Sequence, residues 1–330
     1  MSSNSYSLSL LAHPPVAKKQ PHQLTTHQQT RTDNYYWMRD DERENTDVLA
    51  HLNAENDYCD KQLADIKPLR EQLFNELKGR IVKDDNTVPV KDGKYWYHSE
   101  VRGDDEYARH YRSSSIEARD KQLLLDVNQL AADYEFYELG EVAISPDEQL
   151  LAYSEDTEGR RIYTVRFKNI ASGEMFSDVL ENTEGQVVWA NDNKTVFYVK
   201  KDLQTLLGFQ VYRHVLGTPQ TNDVLVYEEQ DKSFFMGLGK SRDESLIIID
   251  LATTETNDMW VLDANNPERE FSALMPREEG HEFDVDKLGD TFYIVTNWQA
   301  KNFRLMTATQ STIADKTRWQ EHTPHRENVL

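Results

Sequence analysis

Two adjacent arginines, Arg160 and Arg161, are the residues whose type and spacing suggest chemistry in this sequence. They follow a turn that ends at Gly159, in a chain whose formal net charge is −21. Guanidinium groups bind carboxylates in a planar, bidentate geometry. Salt bridges to neighbouring acidic side chains would explain the pair. A functional contact would also explain it, either an ion pair across a domain boundary or recognition of a carboxylate.

Other catalytic patterns are missing from the sequence. No serine has glycine two residues away on both sides, so the Gly-x-Ser-x-Gly elbow of an α/β-hydrolase is not encoded. His281 and Glu282 lack a second histidine at helical spacing, and residues 84–86 lack the glycine and distal glutamate of a calcium loop. We therefore expect no catalytic residue, no metal and no cofactor in this chain.

An aromatic segment near the N-terminus is the second candidate site. Tyr35, Tyr36 and Trp37 are consecutive, and Arg39 follows them among acidic residues. The segment could be a local cluster against the first helix, or it could dock on another domain. Composition alone does not separate the two interpretations.

The elements before residue 80 are predicted to be helical. Residues 1–30 are rich in Ser, Gln and His without periodicity, so we expect a flexible, extended or disordered arm. Apolar residues then recur at three- and four-residue steps, which predicts helices over 46–65 and 68–78. Thr46 and Asp47 are the predicted N-cap residues, Pro68 begins the second helix, and Gly79 is its predicted C-cap.

From residue 80 onwards the apolar period changes to two and a longer repeat appears. Polar turns end at residues 147, 192, 243 and 290, so about 45 to 51 residues separate neighbouring turns. Each turn is followed by an apolar strand, a loop and another strand, and the segment 140–159 is the clearest copy. Four short strands in each repeat of this length predict a β-propeller, with room for about five blades over 80–330. Residues 325–330 suggest the start of a further strand.

Composition limits the partners and the compartment. The negative charge excludes nucleic acid, because binding phosphates requires a basic surface. No apolar run approaches the ~20 residues of a membrane span, and no signal peptide is recognisable. Cys59 is the single cysteine, so an internal disulfide framework is impossible. These features predict a soluble, cytoplasmic protein.

With these segments in view, the chain resembles the N-terminal part of oligopeptidase B, in the prolyl oligopeptidase family of serine peptidases. The resemblance begins near residue 30 and continues to the end. It rests on DNYYWMRDDER (33–43), NAENDY (53–58), EFYELGEVAISPD (135–147), RRIYTVRFKN (160–169), VVWANDN (187–193), VYRHVLGTP (211–219), GHEFDVD (280–286), KNFRL (301–305) and PHRENVL (324–330).

The resemblance implies a two-domain enzyme. A seven-bladed propeller covers an α/β-hydrolase domain, restricts access to short peptides and allows cleavage after Arg or Lys. About five of those blades fit in this chain, and the hydrolase domain and its catalytic residues have no counterpart here. Residues 31–79 would pack on the catalytic domain, and Arg161 matches a family arginine at the domain boundary.

Three hypotheses follow for function. The first is a substrate-gating propeller portion of an oligopeptidase B-like peptidase, recorded as a fragment and inactive alone. The second is a free-standing propeller that binds peptides or a partner protein without catalysis. The third is complementation, in which a separate chain provides the catalytic domain.

Overall fold

The computed structural model describes residues 13–328. Residues 1–12 of the expected arm, and residues 329–330 of the expected final strand, lie outside the described residues. The chain divides into two compact units, with the boundary between Lys83 and Asp84. The expected assignment of residues 31–79 to a catalytic domain stays a prediction.

The first unit begins with a hairpin of two strands, β1 (His22–Thr26) and β2 (Gln29–Asp33). Its turn residues, His27 and Gln28, have φ angles of 50° and 63°. Positive φ at both central positions is the type I′ geometry, which glycine and asparagine usually supply. Neither residue is present in this turn, which is why the sequence predicts an irregular arm here.

Two helices follow, close to the predicted positions: α1 (Thr46–Gln62) and α2 (Lys67–Gly79), with a 3-10 turn at Ala64–Ile66 between them. The N-cap of α1 is Asn45, one residue before the predicted cap. Its side-chain oxygen accepts hydrogen bonds from the amides of Asp47 and Val48 at 3.0 and 3.4 Å.

The prediction that Gly79 caps the second helix is wrong. Gly79 is the last residue of α2, and Arg80 follows it as the cap with right-handed angles, φ −88° and ψ −13°. A glycine cap is favoured where the chain turns into the left-handed region. The chain does not make that turn here.

Within residues 84–328 the second unit consists of antiparallel sheets, one short helix, α3 (Val127–Ala131), and 3-10 turns at Gln220–Asn222 and Lys316–Arg318. No α/β-hydrolase domain lies within residues 13–328. The strands of the first two blades are β3 (Asp85–Asn86), β4 (Val90–Asp92), β5 (Tyr95–Val101), β6 (Arg109–Ser113), β7 (Gln122–Asp126), β8 (Glu138–Ile144), β9 (Leu150–Asp156), β10 (Tyr163–Asn169) and β11 (Met175–Trp189). The remaining strands are β12 (Thr195–Lys201), β13 (Gly208–Val215), β14 (Val224–Glu228), β15 (Phe235–Lys240), β16 (Leu246–Ala252), β17 (Asn257–Asp263), β18 (Ser272–Ala273), β19 (Phe283–Leu288), β20 (Thr291–Thr296), β21 (Arg304–Thr309) and β22 (Gln320–Thr323).

These strands form five blades within residues 84–328. Strands β3–β7 make the first blade, β15–β18 the fourth and β19–β22 the fifth. Blades two and three share the 15-residue strand β11, so that β8–β14 form one seven-stranded sheet. Each of the four apolar core clusters contains residues of two successive blades. Face-to-face packing of this kind confirms the predicted mainly β, propeller-type fold.

The predicted repeat is visible in atomic detail at two turns. Ser145 and Ser241 occupy the same position in their blades, and each hydroxyl donates to the aspartate two residues later, at 2.6 and 2.8 Å. Each hydroxyl also accepts the amide that starts the next strand, at 2.9 and 3.0 Å. Glu148 and Glu244 both have positive φ, 63° and 57°. Similar sequences therefore fold into the same turn in blades two and four.

One network of hydrogen-bonded titratable side chains is buried between blades two and three. The imidazole of His214 is fully buried, with Nδ1 2.7 Å from an oxygen of Asp223 and Nε2 3.1 Å from an oxygen of Asp178. Tyr198 donates its hydroxyl proton to Asp223 at 2.9 Å. Burial lowers the pKa of His214, but the hydrogen bonds and charges of Asp223 and Asp178 outweigh it, so the pKa is raised.

Candidate functional site

The turn that contains Arg160 and Arg161 joins β9 to β10 and is organised by Asp156, the last residue of β9. The Asp156 side chain is buried and accepts hydrogen bonds from the amides of Glu158, Gly159 and Arg161 at 2.9, 3.0 and 2.6 Å. Three backbone N–H groups donate to this carboxylate, and burying it without such hydrogen bonds would cost free energy. The turn is therefore a tightly bonded structure and not a loose loop.

The carbonyl side of the same turn is held by Lys201, the last residue of β12. Its ammonium group donates to the carbonyl oxygen of Arg161 and lies 2.9 Å from a carboxylate oxygen of Glu184. Only 3% of the Lys201 side chain is exposed. Lysine is almost never buried to this extent unless it is paired. Asp156 thus binds the amide of Arg161, and Lys201 binds its carbonyl.

Among the residues that the structure describes, the two guanidinium groups have no such partners. Arg160 is half-buried and Arg161 is exposed. Within residues 13–328 neither side chain forms a hydrogen bond or an ion pair, so the local salt bridges considered from the sequence do not form. The nearby buried acid Glu155 is already occupied, because it binds Arg166 Nε at 2.5 Å and the Tyr137 hydroxyl at 2.8 Å. Both arginines are available to a group outside the described chain.

The aromatic ring of Phe136 lies beside this turn. A methyl group built on Gly159 would lie 3.6 Å from that ring, so the ring covers the glycine. Phe136 is 42% exposed. No sequence pattern indicated Phe136 or Lys201, since both are distant from the arginines along the chain. Asp156 could have been found from its spacing to Gly159, which is typical of a side-chain-capped turn.

The aromatic segment of the first unit is only partly exposed. The Tyr36 ring stacks on His22 with centroids 4.1 Å apart, and the Trp37 ring lies 6.1 Å from that of His51 in α1. Trp37 also donates its indole proton to the carbonyl of Lys18 at 2.8 Å. These contacts fit the interpretation as a local cluster, and they leave open whether the segment also docks on another domain.

Tyr35, Tyr36 and Arg39 keep an accessible surface. Tyr35 is 45% exposed and Tyr36 is 36% exposed. Arg39 binds Asp41 at 3.1 Å in a solvent-exposed pair, and the pKa of Arg39 is raised by this hydrogen bond and by the charge of Asp41. Exposed pairs of this kind contribute little to stability and exchange partners easily.

Helix α2 presents a row of exposed apolar side chains. None of its residues is buried. Phe74 and Leu77 are each 62% exposed. Leu69 and Leu73, on the same side, are 43% and 47% exposed. A contiguous apolar surface of this kind marks an interaction site in a folded protein.

A cavity of about 670 Å³ lies between the inner strands of blades one to four. Burial raises the pKa of Glu141 and lowers the pKa of Lys240, both in its wall. Its charged and titratable lining residues are Asp92, His98, His110, Glu141, Glu148, Lys240 and Glu244. Acidic groups therefore outnumber basic ones around this opening.

Comparison with known proteins decides the family. The model of the prolyl oligopeptidase N-terminal β-propeller domain matches residues 14–330. This chain belongs to the prolyl oligopeptidase family. Dipeptidyl aminopeptidase BI of Pseudoxanthomonas mexicana is 42% identical over 98% of the chain and 47% of that relative. Protease 2 of Moraxella lacunata is 27% identical over 94% of the chain and 46% of its own length.

Solved structures confirm the resemblance of this prolyl oligopeptidase-family chain to oligopeptidase B. Oligopeptidase B from Leishmania major matches with a TM-score of 0.88 and 31% identity over 95% of this chain and 47% of its own. The Trypanosoma brucei enzyme, in a closed form with covalently bound antipain, matches with a TM-score of 0.85 and 30% identity over 96% of this chain and 47% of its own. The chain spans about half the length of the curated relatives it matches. None of the helices in residues 13–328 has the length and apolar character needed to cross a membrane.

Proposed function

We propose that this chain is the substrate-gating propeller portion of an oligopeptidase B-like serine endopeptidase. Its partner would be a catalytic α/β-hydrolase domain, and the whole enzyme would hydrolyse short peptides after Arg or Lys in the cytoplasm. The family match over residues 14–330 and the half-length coverage of relatives support this proposal. No residue of this chain takes part in bond cleavage.

The proposal chiefly rests on a pair of arginines on a fixed turn, whose side chains have no hydrogen-bond or ion-pair partner within residues 13–328. Arg160 and Arg161 would contact the catalytic domain, because guanidinium groups held by a rigid backbone bind a carboxylate with little loss of freedom. Tyr35, Tyr36, Trp37 and Arg39, together with the apolar side of α2, would dock on the same domain.

The propeller itself would control which substrates reach the catalytic domain. The cavity between the inner strands has a volume of about 670 Å³, and its walls belong to strands of three β-sheets. Such walls would admit an extended peptide and exclude a folded protein. The excess of acidic lining groups would favour short basic peptides.

A chimera tests whether the propeller pairs with a catalytic domain and whether it excludes folded proteins. Residues 14–330 replace the matching segment of the Pseudoxanthomonas mexicana relative, and hydrolysis of short fluorogenic peptides is compared with cleavage of a folded protein. Substrates with free amino termini are included because that relative is a dipeptidyl aminopeptidase. We expect the chimera to cleave the peptides and leave the folded protein intact, and the 330-residue chain alone to cleave neither.

Two results would contradict the proposal. A folded chimera without activity would argue against pairing and favour the free-standing binding propeller, whereas cleavage of folded proteins would argue against gating. Specificity for Arg or Lys is tested separately by sequencing the DNA that follows the codon for Leu330. Expression of any in-frame continuation with a Gly-x-Ser-x-Gly elbow then reveals which residues it cleaves after.

A further inference from the structure

The backbone of Arg161 is fixed on both sides by buried charged side chains. Its amide is bound by Asp156 at 2.6 Å and its carbonyl by Lys201. Lys201 belongs to the neighbouring blade and is itself paired with Glu184 at 2.9 Å. The turn is therefore clamped by a carboxylate five residues before Arg161 and by an ammonium group 40 residues after it, and the burial of both groups requires these partners.

The clamp holds Arg161 in an unfavourable backbone conformation. Its φ angle is 54°, in the left-handed region that non-glycine residues rarely adopt. Such a conformation persists only where surrounding contacts over-determine it, and these residues cluster at functional sites. Glycine would adopt the angle without strain, but it would remove the guanidinium group.

We propose that Asp156 and Lys201 are positioning residues that present Arg160 and Arg161 to a carboxylate of the catalytic α/β-hydrolase domain. The inference rests on the proposed domain pairing. Neither clamping residue is available for the contact itself, because the carboxylate of Asp156 is occupied by three amides and the ammonium of Lys201 by Glu184 and a carbonyl. They would keep the turn ordered before binding, so that less conformational entropy is lost when the two domains bind.

Limited proteolysis of the 330-residue chain tests the clamp without any partner. Trypsin cleaves after arginine only where the backbone can open, so we expect the bonds after Arg160 and Arg161 to resist cleavage. Lys201→Met should increase the cleavage rate at these two bonds at least about 10-fold, because that rate depends on the fraction of molecules in which the turn is locally open. Cleavage after the exposed Arg119 serves as the internal reference, and Lys200→Met is the matched control.

A second variant covers the case in which Lys201→Met does not fold. Asp156→Asn retains one oxygen for two amides but turns an amide group towards the Arg161 N–H, so it should also increase cleavage. Lys201→Arg should retain the natural chain's resistance to trypsin, because arginine keeps both the positive charge and the hydrogen-bond donor. Unchanged resistance in both loosened variants would overturn the proposed clamp.

The chimera then tests positioning. Lys201→Met and the double variant Arg160→Gln/Arg161→Gln should each lower kcat/KM about 10-fold, while Lys201→Met added to the arginine double variant should cause no further loss. Additive losses would mean that Lys201 acts independently of the arginines, which contradicts a positioning role. If the trypsin result holds but the arginine double variant is fully active, the clamp stands and the proposed domain contact is wrong.

Discussion

Replacing His214 with leucine is expected to lower the free energy of unfolding by about 3–5 kcal/mol. The imidazole is fully buried between Asp178 and Asp223, and both of its nitrogens face carboxylate oxygens. Leucine fills a similar volume but leaves two buried acidic groups without their cation. Urea unfolding of the 330-residue chain measures the loss, and His322→Leu, at an exposed position, should change stability by less than about 0.5 kcal/mol.

The same network gives the chain a defined pH dependence. Because the pKa of His214 is raised in the folded state, its stabilising contribution is fully present below the ordinary histidine value of about 6.5. The contribution is lost as the pH rises through the higher folded-state pKa. We expect the difference in stability between the wild type and His214→Leu to shrink over that range. A difference that grows with pH would mean that the buried histidine is neutral.

The sequence was sufficient to predict the repeat and its strands. Turns such as those at Ser145 and Ser241 are closed by side chains within five residues, so the local sequence determines their geometry. The apolar alternation then places one side of each strand in the core. Both signals are local, and the propeller follows from their repetition.

The remaining features depend on contacts between distant residues. Asp178 and His214 are brought together by strands of different blades, as are Arg161 and Lys201. Strand β11 continues without a break from blade two into blade three, with a glycine at φ 103° at residue 185. In each case the residue type alone is compatible with many partners. Only the packing of the blades determines which partner the residue contacts. The arginine pair and Asp156 could therefore be found from the sequence, but Lys201 could not.

Replacing Phe74 with aspartate is expected to separate the role of α2 in the isolated chain from its role in the enzyme. Phe74 is 62% exposed, so Phe74→Asp should change the unfolding free energy of the 330-residue chain by less than about 0.5 kcal/mol. In the chimera, the same position would be buried against the catalytic domain. A charge placed in the centre of such an interface typically costs about 2 kcal/mol or more.

Asn75→Asp provides the matched control for this prediction. It introduces the same carboxylate one residue later, and successive residues of a helix point about 100° apart, so it lies away from the apolar row. We expect urea unfolding of the chimera to be weakened by Phe74→Asp and not by Asn75→Asp, with neither variant altering the isolated chain. Equal stability of the two chimeras would contradict docking of α2 on the catalytic domain. Equal destabilisation of the chimera and the isolated chain by Phe74→Asp would instead mean that Phe74 contributes to the fold of the first unit.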